Sequence, residues 1–395
     1  MPVTTLPHSV IPAGIFPSPG LFTLLCWPFL VTWVLWVSER AGRAQEMAYA
    51  GMVISALGLL GCSHGLALSE GIALALESCV PALLFMQLHP HGEGKGRLGG
   101  REGERLPFLV VGCVLMGFCL RSMLAVTVVI GAGSVLLAWW DGRAIRRAFP
   151  AWMMARLRLC GVVLSALGAV LLHGVPSEVT PEAAQNLGIV LSVLGLAMMA
   201  GLGSAATAAP ELDMLDVGLR FAALTVMVHL AVYPLARHLM LLSGLIALLI
   251  TMLGRGSVFP LLPCLTGLGV VAAATEQETA LLLLQAGALL GTVLRVRASF
   301  DPKEQSTLPE RALLPVMLVV LLQLGHVLPL GALVMLLLCL ALGLRDVRLA
   351  DPSHHGWRFW VGQDQQTRLL VSLLMILAFV GVCLSGWNTV PGWRV

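Results

Sequence analysis

Lysine is nearly missing from this chain of 395 residues: Lys95 and Lys303 are the two it has, and neither falls in an apolar run. Charged residues of all kinds make up 11%, against roughly 25% in an ordinary soluble domain. That deficit excludes a soluble globular enzyme with a charged surface. The net charge of +3 is small and scattered over short segments, so no nucleic-acid partner is implied. There is no CxxC pair and no GxxxxGK[ST] phosphate loop, which removes the usual redox and nucleotide signatures. The first residues, MPVTTLPHSVIPAG, lack the basic n-region of a cleaved signal, so the first apolar segment is expected to be retained.

What the chain has is hydrophobic length. Apolar residues make up 58% and the mean hydropathy is +0.90. A helix needs about 20 residues to cross a bilayer, so about 12–14 crossings fit. The expected fold is an all-α, polytopic membrane bundle forming one integral membrane domain over 1–395. Apolar runs lie at Leu21–Val37, Met47–Leu66, Ile72–Leu88, Pro107–Leu120, Ser122–Trp140, Leu159–His173 and Leu187–Ala206. They continue at Val217–Leu235, Leu239–Leu253, Ser257–Ala274, Thr279–Leu294, Ala312–Val327, Gly331–Leu344 and Leu369–Trp387. The intervening 89–106, HPHGEGKGRLGGREGERL, is Gly-rich and charged, and reads as a flexible cytoplasmic loop. Basic residues, including Arg156, Arg158, Arg295 and Arg297, fall in alternate loops. Acids such as Glu178, Glu182, Glu276 and Glu278 fall in the others. By the positive-inside rule this predicts a multi-pass protein of the cell inner membrane with both termini on the outer side.

The nine cysteines lie within apolar segments and read as buried free thiols. Trp27, Trp33, Trp36, Trp139, Trp140, Trp357, Trp360 and Trp387 cluster near span ends, where interfacial anchoring accounts for them. Histidines His64 and His173 lie near other span ends, and nothing fixes a pair for haem. The loop pairs His89/His91 and His354/His355 have no cysteine or acid at ligand spacing. No cofactor or metal is expected, and no catalytic residue is assigned.

Four ionisable groups stand out because lipid makes such groups costly, so each needs a partner, water or a function. Glu77 lies inside ALALESCVPALLF, with Pro81 four residues on and Glu70 seven residues earlier on the same helical face. It reads equally as a proton-exchange site or as a hydrogen bond between helices. His229, mid-run in VMVHLAV, suits proton relay, or is a neutral ring bonded to a neighbouring helix. Arg220 can pair with Asp213 or Asp216, but is expected to snorkel to the headgroups. His326 sits in GHVLPLG, where Gly and Pro interrupt an apolar run; broken helices of this kind are tolerated beside protein or a cavity.

Four stretches, taken in order, resemble the antiporter-like membrane subunits, the proton-conducting family of NADH:quinone oxidoreductase, group 4 hydrogenases and Mrp antiporters. Glu77 with Pro81 resembles the family's acid-and-proline helix. TAAPELD (207–213) resembles the break before its eighth helix, and counting on from Pro210 places a family lysine position on His229. Arg255–Gly267 resembles the family's RLLAYSSIAHxG stretch in placement. LGHVLPLGALVM resembles its second Gly/Pro break. The resemblance implies fourteen helices, two inverted five-helix repeats and discontinuous helices. It also implies other membrane subunits as partners within the bilayer. Family lysines fall on methionine here, near Met199 and at Met335, which cannot titrate. The expected function is therefore a membrane-arm subunit of a redox-driven proton- or cation-translocating complex, pumping or reduced to a structural role. Any enzymatic part is at most that of a non-redox subunit. A stand-alone secondary transporter and a membrane enzyme acting on lipid-linked substrates are the alternatives.

Overall fold

The computed structural model describes residues 25–37, 43–62, 68–88, 101–120, 122–143, 148–173, 182–202, 210–253, 261–298 and 308–328, with the single residues 334, 337, 373 and 376. Among them every regular element is a helix. They are α1 (Trp27–Val37), α2 (Ala44–Cys62), α3 (Leu68–Ser78), α4 (Val80–Leu88), α5 (Arg101–Cys119), α6 (Met123–Asp141) and α7 (Ala148–His173). Then follow α8 (Glu182–Met199), α9 (Pro210–Leu230), α10 (Pro234–Leu253), α11 (Leu261–Ala274), α12 (Glu278–Ala298) and α13 (Leu308–Gly325). Six described segments are long and apolar enough to cross a membrane: Ser69–Gln87, Met123–Asp141, Ala148–Leu172, Glu182–Met199, Pro234–Thr251 and Glu278–Arg297.

Helices begin earlier than the apolar runs because their charged first turns belong to them. α5 starts at Arg101, so the end of the expected loop 89–106 is helical; residues 89–100 lie outside the described residues. α7 starts at Ala148 rather than Leu159, which moves Arg156 and Arg158 from an expected loop into a helix. α9 starts at Pro210 with Glu211 and Asp213 in its first turn. Proline suits the first helical position, and acids there oppose the positive end of the helix dipole. The calls on His64, His89, His91, His354, His355, Met335, Arg255 and most of the last two expected spans fall outside the described residues.

α3 and α4 are one bent span. Pro81 has no N–H to offer the carbonyl of Glu77, and its ring crowds that carbonyl, so the rod bends there. The bend is seen at Cys79, whose N–H donates to Leu76 O at 3.2 Å as a tightened turn.

The bundle packs around α9 and α12. α9 lies against α5, α6, α8, α11 and α12, while α12 also holds α3, α4 and α13. α9 then turns through Ala231–Tyr233 into α10, which packs against α11 and α8. α7 and α8 approach most closely, through Gly161, Ser165 and Gly168 on one and Gly188, Ser192 and Gly195 on the other. A Cβ added at Gly161 would stand 2.6 Å from Gly195 O, and one at Gly168 would stand 2.7 Å from Gly188 O. Small residues let membrane helices gain packing that apolar burial cannot supply in lipid. The outward faces carry Leu167, Val163, Leu194, Leu242 and Ile250, all exposed as lipid-facing residues should be. Trp139 and Trp140 end α6 beneath Arg143, whose guanidinium lies 4.1 and 4.7 Å from the two rings. Trp27 is a correction to the anchoring expectation: it is buried, edge-on to Phe108 with centroids 6.0 Å apart.

The packing makes two glycines behave oppositely. Gly168→Leu should lower stability by about 1–3 kcal/mol through overpacking, read as an earlier thermal transition in detergent. Gly71→Ala, whose added Cβ meets nothing within 4 Å, should be neutral or slightly stabilising; equal shifts for both would contradict the close α7–α8 contact.

Candidate functional site

α9 carries two polar faces. Asp213, Asp216 and Arg220 recur at helical spacing on one side. Gly218, Ala222, Thr225 and His229 recur on another. Asp213 and His229 stand about 24 Å apart along the axis, nearly the depth of a bilayer core.

On the first face lies an ion cluster. Arg220 Nε donates to Asp216 Oδ2 at 2.7 Å, and both residues are 0% exposed. Arg158 of α7, also buried, pairs with the other oxygen of Asp216 through Nη1, and the same Nη1 reaches Ser134 Oγ of α6 at 3.4 Å. Arg220 Nη1 faces Ala200 O at 3.4 Å, Gly201 O at 3.5 Å and Thr266 Oγ1 of α11 at 3.4 Å. Asp213 accepts a hydrogen bond from Arg295 of α12 at 2.8 Å.

The carbonyls that meet Arg220 are there because α8 stops inside the bundle. Leu202 N–H donates to Ala197 O at 3.0 Å and Gly201 N–H to Met198 O at 3.0 Å. Gly201 adopts φ 84°, the left-handed region glycine enters at no steric cost. This is the Schellman ending, and it leaves the negative end of the helix dipole against the guanidinium.

On the second face lies Glu77. It is 1% exposed, and Gln285 Nε2 of α12 donates to its Oε1 at 2.7 Å. Gly218 makes this approach possible: a Cβ there would collide with Glu77 Oε2 and stand 2.7 Å from Val114 Cγ1. Beyond Gln285 a cavity of about 40 Å³ is lined by Ser69, Glu70, Ala73, Phe118, Thr225, Val228, His229, Glu278, Leu281, Leu282 and Gln285. Its rim is tied by Ser69 Oγ donating to Glu278 Oε2 at 2.6 Å. An exposed ion pair, Arg237 with Glu276, joins the start of α10 to the α11–α12 turn at the same end.

Glu77 and His229 thus serve one region, the carboxyl below the cavity and the imidazole at its exposed rim. Arg220 corrects the snorkelling expectation: it is fully buried and paired, because Asp216 one turn away and the end of α8 satisfy it inside the bundle. His326 stands apart and exposed, in the turn that follows α13. Its N–H donates to Gln323 O at 3.4 Å, so the chain does leave the helix at Gly325, as GHVLPLG suggests. Sequence reasoning missed Arg158, Gln285, Gly218 and Thr266. A signal existed only for Arg158, which precedes an apolar run too closely to be a loop residue. Among the described residues no group of His, Cys, Asp and Glu has metal-holding geometry.

Removing one member of the cluster leaves a buried charge unpaired. Asp216→Asn should cost about 3–5 kcal/mol, whereas Glu276→Gln, at the exposed pair, should change stability by less than about 1 kcal/mol. Thermal unfolding of the two variants side by side decides this; comparable losses would mean that the cluster is solvated.

No protein-family model matches the chain, and no curated protein does. Solved structures do. A chain of the membrane-bound sulfane sulfur reductase, an archaeal respiratory membrane complex, superposes with TM-score 0.71 at 12% identity, covering 93% of this chain and 96% of that one. A chain of respiratory complex I from Thermus thermophilus gives 0.64 at 15% identity, over 92% and 97%. A chain of the Mrp complex from Dietzia sp. gives 0.61 at 13% identity, over 93% and 94%. The protein is a multi-pass membrane protein with the fold of the membrane subunits of these three complexes.

Proposed function

We propose that this chain is a membrane-arm subunit of a respiratory-type, redox-driven complex that translocates protons or cations. The overlap of nearly its whole length with chains of two respiratory complexes and of the Mrp complex carries this reading. With it go a location in the cell inner membrane, both termini on the outer side, partner membrane subunits, and fourteen helices in two inverted five-helix repeats.

The two polar sites divide the work. Guanidinium groups keep their charge at any accessible pH. Arg158 and Arg220 therefore clasp Asp216 as fixed charges and pass no proton. Glu77 is different: a carboxyl can gain and lose a proton, and only one side chain separates it from a cavity with an open rim. The lysines that would extend such a path are missing from the apolar runs. The chain accordingly accepts a proton from one face as far as Glu77, and its contribution to the complex is modulatory.

Mild-detergent purification should bring this chain out with other membrane subunits and a redox partner. Elution alone, with a substrate-dependent thermal shift, would favour a stand-alone transporter instead. Within the assembled complex in vesicles, Glu77→Gln should lower proton uptake in part while leaving co-purification intact. Unchanged uptake would remove Glu77 from any pathway.

A further inference from the structure

Between Glu77 and the cavity stands one polar side chain, that of Gln285. It is 2% exposed, it lines the floor of the cavity, and its Nε2 donates to Glu77 Oε1. Glu77 itself does not line the cavity. α12 sets Glu278, Leu281, Leu282 and Gln285 at i, i+3, i+4 and i+7 along the cavity wall, leading from an exposed acid to the buried amide. Among the residues that line the cavity, Gln285 is the one whose side chain bonds to Glu77, so its amide is the polar step that joins the cavity to the carboxyl.

The space suits water. One water needs about 10–15 Å³ of this kind of volume, so about three fit in 40 Å³. Ser69, Thr225, His229, Glu70 and Glu278 give them hydrogen-bond partners at the rim. The titratable groups around the path are Glu70 on α3, His229 on α9 and Glu278 on α12, with the Cys79 thiol beside Glu77 on its own span.

We propose that Gln285 is the gate between cavity water and Glu77, a positioning residue for proton exchange. This rests on the reading of Glu77 as a proton acceptor. An amide has both donors and an acceptor. With Glu77 ionised, the N–H side faces the carboxylate, as seen. Turning the amide about its last torsion, which is soft, opens the carboxylate to water and then offers an oxygen to the new O–H. The step balances simply: a hydronium in the cavity gives its proton to the carboxylate, leaving water and a neutral carboxyl. The glutamine takes and loses no proton.

The test is infrared spectroscopy of the full chain in membranes, following exchange of the protonated Glu77 carboxyl with D₂O. The band is assigned by its loss in Glu77→Gln. Gln285→Leu should slow exchange by about tenfold or more, whereas Gln285→Asn, which keeps an amide's donors and acceptor, should slow it less. Ala73→Leu, which fills the cavity without touching the Glu77–Gln285 bond, should slow exchange as well and serves if Gln285→Leu fails to fold. Exchange at the wild-type rate in either leucine variant, or no Glu77 band at any pH, overturns the gate. The measurement needs no partner subunit or redox drive, so it stands or falls separately from co-purification.

Discussion

Asp216 held between Arg158 and Arg220 is the interaction on which the rest of the bundle depends. An ion taken out of water costs several kcal/mol even after relaxation, and only close pairing with full hydrogen bonding offsets it. Here one carboxylate engages two guanidiniums, and the second is completed by the end carbonyls of α8 and a threonine of α11. Satisfying these charges brings α6, α7, α8, α9 and α11 to one point. Departure of α7 would strand a charge in hydrocarbon, and departure of α6, α8 or α11 would leave the guanidiniums short of hydrogen bonds.

The cluster also satisfies the end of α8. A helix end inside a membrane protein exposes carbonyls that lipid cannot satisfy. Gly201 turns the chain without strain, and Arg220 meets the carbonyls left over. The end of α8 and the buried arginine are therefore one feature seen from two helices. By absorbing the fixed charges on one side of α9, it leaves the other side apolar enough for Glu77 to sit beside Gly218 with a single amide partner. Permanent charge thus lies on one side of α9 and the buried Glu77 carboxyl on the other.

Some of this was legible residue by residue. Glu77 stood out as an acid in an apolar run, with Pro81 four residues on. His229 was placed near mid-run by hydropathy, yet the helix ends one residue later and its ring lies at an exposed rim. Arg158 was read as a loop residue because hydropathy windows begin where charge stops, whereas helices begin where backbone hydrogen bonds do. Arg220 was expected at the headgroups because an arginine's nearest relief, judged along the chain, is water. Gln285 gave no signal at all: an amide in a helix is unremarkable until one knows that a carboxyl 208 residues away lies against it.

By itself the sequence determined the class of protein, its all-helical bundle and the acid worth watching. These follow from local properties: the length of apolar runs and the cost of an ionisable group in lipid. Only the tertiary structure decided which charges neutralise one another, that α9 separates an ion clasp from the buried Glu77 carboxyl, and that a cavity ends at Gln285. Pairing is a relation between helices distant in the chain, and the energy of a buried ion is set by what packs against it, which no single run of residues contains.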